Sequence, residues 1–196
     1  MTDRTAQITR STGETDVEVT LTLDGSGQTR IDTGVGFYDH MLDALGRHGQ
    51  FDLELACDGD VEIDDHHTVE DCAIGLGRAL DEALGDRSGI VRFGSAFAPL
   101  DEALARSVVD LSGRPSPHIA LDTNRERLGD LSTENAEHAL STLATEAKAA
   151  IHVDVLKGEN DHHKVEAAFK SLALALKAAV RPTGDDRVRS TKETLQ

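Results

Sequence analysis

Two stretches of the chain alternate apolar and polar side chains with a period of two. Val17, Val19, Leu21 and Leu23 fall on one face, the pattern of a half-buried strand. Ala103, Ala105, Val109 and Leu111 allow the same reading, but LDEALARSVVDL is also rich in helix formers, so local pattern leaves strand and helix open. Each stretch runs into a Gly-containing turn, DGSG at 24–27 and LSGR at 111–114, followed by another short apolar strand. Helical periodicity predicts four longer elements: Tyr38 to Arg47, Thr68 to Leu84, Thr133 to Ala150 and His163 to Val180.

The chain also repeats itself. Residues 64–70 read DDHHTVE and residues 161–166 read DHHKVE, and each opens an apolar helical stretch, CAIGLGRALDEAL or AAFKSLALALKAAV. The two His pairs lie 96 residues apart, about half of the 196-residue chain. The repeat resolves the ambiguous segment in favour of a strand, which makes the fold class α+β. With no Pro/Ser linker near Gly89, it predicts half-repeats at 1–89 and 90–181 that share an interface. The closing PTGDDRVRSTKETLQ reads as a tail, 182–196.

The chemistry follows from the repeat. On a helix beginning at the His pair, positions i, i+1 and i+4 put His66 and Glu70 on one face with His67 beside them, and His162, His163 and Glu166 repeat the set. Imidazole and carboxylate donors without thiolate suit Mn, Fe or Zn. One HHxxE is weak evidence, because adjacent histidines occur on surfaces by chance; two in matching contexts point to metal. His40 and His138 stand at comparable places ahead of the two motifs and bring the set to eight, four for each of two octahedral ions with positions left for water and substrate. The division of ligands between the ions stays open. Asp65 and Asp161 are candidates to bond a ligand's second ring nitrogen or to cap the helix. His152 reads as structural and His118 as a surface residue.

Charge narrows the partners. The net charge is −16 and the pI about 4.8, so nucleic acid and anionic membranes are repelled by the summed field. Only six of the twenty basic residues are Lys, Trp is absent and Asp abundant, a balance suited to concentrated salt, where screening removes self-repulsion, and we expect a halophilic source. MTDRTAQITRST has no apolar signal region, and no apolar run approaches the ~18 to 20 residues of a membrane helix, so the expected location is cytoplasmic. Cys57 and Cys72 read as reduced thiols.

Taken together, RSTGET at 10–15, DTGVGFYDHML at 32–42, RHGQFDLEL at 47–55, GDVEIDDHHTVED at 59–71, DLSGRP at 110–115, the second His pair with EAAFKSLALAL, and STK at 190–192 resemble the imidazoleglycerol-phosphate dehydratase family along essentially the whole chain. The resemblance implies a duplicated ribosomal-protein-S5-domain-2-like fold, two Mn(II) ions per subunit, and a homo-oligomer of 24 subunits with sites shared between subunits. It places metal ligands at His40, His66, His67, Glu70, His138, His162, His163 and Glu166, and phosphate contacts at Arg92, Arg114, Lys170, Ser190 and Lys192. The implied reaction dehydrates D-erythro-imidazoleglycerol phosphate to imidazole acetol phosphate through an imidazolate-type intermediate.

Glu14 of RSTGET is the acidic residue of a matching motif outside the ligand set and is the expected general base; His48 is a further acid/base or substrate contact. The chain departs from the family at Arg189, where the family has Pro before the serine. Two other readings explain part of the pattern, a di-metal phosphatase and a non-catalytic metal-assembled shell protein. The acidic surface generates a direct expectation: the melting temperature rises between dilute buffer and molar KCl, as scanning calorimetry would show.

Overall fold

A computed structural model describes residues 4–192, 194 and 195. The first half contains β1 (Thr5–Ser11), β2 (Thr15–Thr22), β3 (Thr29–Asp32), α1 (Gly36–Gly49), β4 (Asp52–Gly59) and α2 (His66–Leu84). The second contains β5 (Phe93–Leu100), β6 (Ala103–Asp110), β7 (Ser116–Ala120), the short hairpin β8 (Arg127–Leu128) and β9 (Leu131–Ser132), α3 (Thr133–Glu146), β10 (Ala150–Lys157) and α4 (Asp161–Val180). The two four-stranded sheets run β1-β2-β4-β3 and β5-β6-β10-β7, each antiparallel except for its last pair. Strand for strand the second order repeats the first, so the duplication read from the His motifs is a duplication of fold.

Residues 103–110 form a strand. Ala103, Ala105, Ser107 and Val109 point to the core while β6 is paired on both sides, and the ladders override the helical propensity of Glu, Ala and Leu. The third helix stops at Glu146, four residues before its expected end at Ala150. Lys148 takes a left-handed φ of 48°, Ala149 N donates to Ala144 O, and the chain enters β10. The first helix ends in the same way, with Gln50 at φ 56° and Phe51 N donating to Gly46 O. This is the geometry that glycine usually supplies at a helix end, and with Gln and Lys in its place the sequence gives no stop signal.

The layers run sheet, helices, helices, sheet. The helix α2 covers β1 and β2, α4 covers β5 and β6, and across the middle α1 packs on α4 and α2 on α3. A single apolar core therefore passes through both halves, from Val17 and Leu55 to Leu140, Ile151 and Leu172. Asp71 is buried against the first sheet, taking the Arg10 guanidinium and the Thr15 hydroxyl. The outer face of the first sheet is polar, whereas that of the second exposes Phe93, Phe97, Val108 and Leu156. Among the described residues, no helix is long and apolar enough to cross a membrane.

Where β5 meets α4 the backbones nearly touch, and a methyl group at Gly94 would overlap the carbonyl oxygen of Ala175. Gly94→Ala should lower the unfolding free energy by about 3 kcal/mol, since the obstacle is backbone and cannot rotate away. Gly13→Ala, with nothing within 4 Å of the added carbon, should leave it unchanged. Urea unfolding measures both.

Candidate metal centres and active site

The crossed helix packing brings the histidines together in an arrangement the linear motif does not suggest. His40 on α1 meets His162 and Glu166 on α4, and His138 on α3 meets His66 and Glu70 on α2; in each triad one donor atom per residue lies within 4.8 Å of the others. Each triad thus takes its HxxxE pair from one half and its third member from the other. His40 Nε2 and His162 Nε2 each stand 3.2 Å from Glu166 Oε2, and the Phe37 ring meets His162 edge-on at 5.0 Å. In the other triad His138 Nε2 is 2.8 Å from Glu70 Oε1, the His66 and His138 rings stack at 5.1 Å, and His66 Nδ1 faces the Asn135 amide oxygen at 3.0 Å. Convergent imidazole nitrogens around one carboxylate are a donor set that fits a divalent transition metal.

His67 and His163 stand apart from these triads. His67 Nδ1 faces Asp60 at 3.0 Å and His163 Nδ1 faces Glu102 at 2.8 Å, and the neighbouring carboxylate raises the pKa of each imidazole. Glu102 itself is held down to about 2, first by the Asn160 backbone N–H and then by His163. The other nitrogen, Nε2, is 3.7 Å from Glu14 in His67 and 3.9 Å from Asp101 in His163. Glu14 is therefore beside the first His motif, with half its side chain exposed (55%).

Asp65 and Asp161 neither cap their helices nor touch a ligand histidine's ring. Asp64 and Asn160, one residue earlier, accept from the backbone N–H of His66 and His162. The buried Asp65 accepts from Ser132 N (2.7 Å), Ser132 Oγ (2.8 Å) and Arg127 (3.2 Å), and the buried Asp161 from Asn124 N and Arg125 N. Together they pin the segment carrying the β8–β9 hairpin to the start of both motif helices. Asp130 at the hairpin turn accepts in turn from Gly36 N and Phe37 N, fixing the start of α1.

A cavity of about 510 Å³ is lined by Arg92, Arg114, Arg189, Ser190, Thr191 and Lys192, which unites four of the five expected phosphate contacts. Arg92 is held there by a two-point pair with Asp110 (2.7 and 3.0 Å). Lys170, the fifth, stands at the His40 triad with Nζ 2.5 Å from Glu166. His48 lies near this triad on the exposed side of α1; desolvation, aided by the Lys170 charge, lowers its pKa. His118 and His152 stack at 4.3 Å on the outer face of the second sheet, away from both triads. Asp60, Glu102, Asn135 and Asp130 were not singled out from sequence. Asp60 was visible within GDVEIDDHHTVED, whereas Glu102 and Asn135 lie 61 and 69 residues from the histidines they face and carry no local signal.

Residues 33–176 match the family model of imidazoleglycerol-phosphate dehydratase. Among relatives bearing that name, one from Salinibacter ruber is 57% identical over 98% of this chain and 96% of its own length. Another, from Candida glabrata, is 52% identical over 97% of this chain and 99% of its own. The structure is similar to that of the Staphylococcus aureus dehydratase (TM-score 0.83, 35% identity, 91% of this chain and 99% of that one). It is equally similar to the Pyrococcus furiosus enzyme in complex with (S)-C348 (TM-score 0.82, 36% identity, 96% and 100%).

Burial works to raise the Asp65 carboxyl's pKa, but the Ser132 amide, Asn135 and the Ser132 hydroxyl outweigh it and hold it below the usual value. A depressed carboxylate stabilises the fold above its unfolded pKa of about 3.9 and loses that contribution as pH falls through its folded value. Asp65→Asn should therefore cost roughly 1–3 kcal/mol at neutral pH. The gap to the wild type should narrow below about pH 4, as urea unfolding of the metal-free protein at a series of pH values would reveal.

Proposed function

The chain belongs to the imidazoleglycerol-phosphate dehydratase family, hydro-lyases of histidine biosynthesis, and from that premise we propose how its own residues dehydrate D-erythro-imidazoleglycerol phosphate to imidazole acetol phosphate. The observation that carries the reading is the pair of crossed triads, His40/His162/Glu166 and His66/Glu70/His138. Two sites of matching composition suit two Mn(II) ions and a flat ring with two nitrogens. His67 and His163, which lie outside the two triads, complete the eight ligands across contacts with neighbouring subunits. Sites completed between subunits require a homo-oligomer, and the family resemblance implies a shell of 24 subunits.

A bound divalent ion supplies Lewis-acid polarisation of the imidazole and a template for its orientation. The remaining work belongs to side chains. Net dehydration takes hydroxide from the carbon attached to the ring and a proton from its neighbour; the resulting enol tautomerises to the ketone. Glu14, exposed and beside His67, takes that proton as general base. His48 is the second candidate for proton transfer or substrate contact. The phosphate, a dianion entering a protein of net charge −16, is drawn to Arg92, Arg114, Ser190 and Lys192 on the tail 182–196 and its flank. Lys170 adds a point charge from the triad side.

The test is turnover by the purified protein, stripped with chelator and reloaded with Mn(II), with ketone and free phosphate followed in parallel. Ketone should form only with metal and without phosphate release, and Glu14→Gln should bind its metals normally and lose at least about 100-fold in turnover, the scale of general base catalysis. Phosphate release would point to a di-metal phosphatase instead. Metal-driven assembly without turnover would point to a shell protein.

A further inference from the structure

We propose that Glu102 and Asp60 are positioning residues that fix the ring orientation and tautomer of His163 and His67, leaving Nε2 of each as a bare ligand nitrogen before any ion arrives. The proposal rests on the reading of these two histidines as metal ligands.

A carboxylate can only accept, so a neutral imidazole that presents Nδ1 to it must carry its proton there and its lone pair on Nε2. Glu102 Oε2 is 2.8 Å from His163 Nδ1, and Asp60 Oδ2 is 3.0 Å from His67 Nδ1. Glu102 is fixed in turn, because its other oxygen accepts from Glu159 N at 3.1 Å and Asn160 N at 2.9 Å, the two residues leading into α4.

These are also the two histidines that need such help. His40, His138 and His162 each have Nε2 against the glutamate of a triad, and His66 is held by Asn135 within one. Among the described residues, neither His67 nor His163 is held by the glutamate of a triad; Nε2 stands 3.7 Å from Glu14 in one and 3.9 Å from Asp101 in the other, beyond hydrogen-bond reach. Their carboxylates come from positions that are not related by the duplication. Asp60 follows β4, whereas Glu102 lies in the β5–β6 turn, whose counterpart in the first half is the turn bearing Glu14. Two halves that reach the same contact from different places have kept the contact itself, not an inherited residue.

The test uses substitutions that separate tautomer control from support of the loop. In Glu102→Gln the amide oxygen can still accept from Glu159 and Asn160, but the amide nitrogen now donates toward His163 Nδ1 and favours the proton on Nε2. Asp60→Asn does the same to His67. Long-range 1H–15N spectra of the metal-free protein, at a pH where the rings are neutral, should show the ring proton on Nδ1 in the wild type and on Nε2 in each variant. Mn(II) affinity, by calorimetry on the assembled protein, should fall by about 10- to 100-fold in each, with the melting temperature of the metal-free protein unchanged and affinity regained in Glu102→Asp. Unchanged tautomers and full Mn(II) affinity in both variants, while His163→Gln loses metal, would overturn the positioning role alone. Full affinity in His163→Gln would overturn the ligand reading on which it stands.

Discussion

Everything in the site depends on the helices of one half packing against those of the other. The contact between α2 and α3 is close enough that a methyl group at Gly77 would come within 2.6 Å of Glu146 Cβ. That approach sets His138 beside Glu70, and the matching contact of α1 with α4 sets His40 beside Glu166. The sheets contribute by holding each motif helix from behind. Asp71, buried against Arg10 and Thr15, ties the histidine-bearing end of α2 to β1 and β2. Strand registry, helix contact and ligand convergence are thus one geometrical problem.

The electrostatics are organised on two scales. Over the whole surface the field is negative and favours solubility and cation binding. Locally, Arg92, Arg114 and Lys192 gather on one cavity, and Asp110 fixes one of these charges in place without exposing a competing anion at the cavity lining. The buried aspartates at the helix starts do not add to the ligand set. They spend their charge on the backbone N–H groups of the segment between β7 and α3, making that segment a strap across both motifs.

Much of this was legible in the chain. The period-two stretches became β2 and β6, the four periodic stretches became the four helices, and the repeated HHxxE marked the two helices that carry the HxxxE pairs of the triads. The illegible parts share a physical cause, namely that they depend on partners distant in sequence. Neither Gln50 nor Lys148 itself announces a left-handed helix end, because tertiary packing imposes a conformation that neither residue prefers. Counting eight ligands left their division open, because the crossing of the helices, and not the spacing within HHxxE, decides which residues meet. The same holds for Asp65 and Asp161, whose partners lie in the segment that carries the β8–β9 hairpin, which has no counterpart among the described residues of the first half. The three basic residues expected at the cavity, Arg92, Arg114 and Lys192, were readable only as a resemblance, since an isolated Arg or Lys is ordinarily a solvated charge.

The crossed composition of the triads also bears on descent. A half-length polypeptide with this fold would carry a His on its first helix and an HxxxE on its second, and neither would complete a triad within one chain. Two identical copies, exchanging first helices across a two-fold axis, would complete both. In the fused chain the two triads are no longer obliged to be the same, and they are not. Lys170 stands against Glu166 in one, while Asn135 stands against His66 in the other. Each centre thus has neighbours of its own, while the helix contact that builds it is repeated in both.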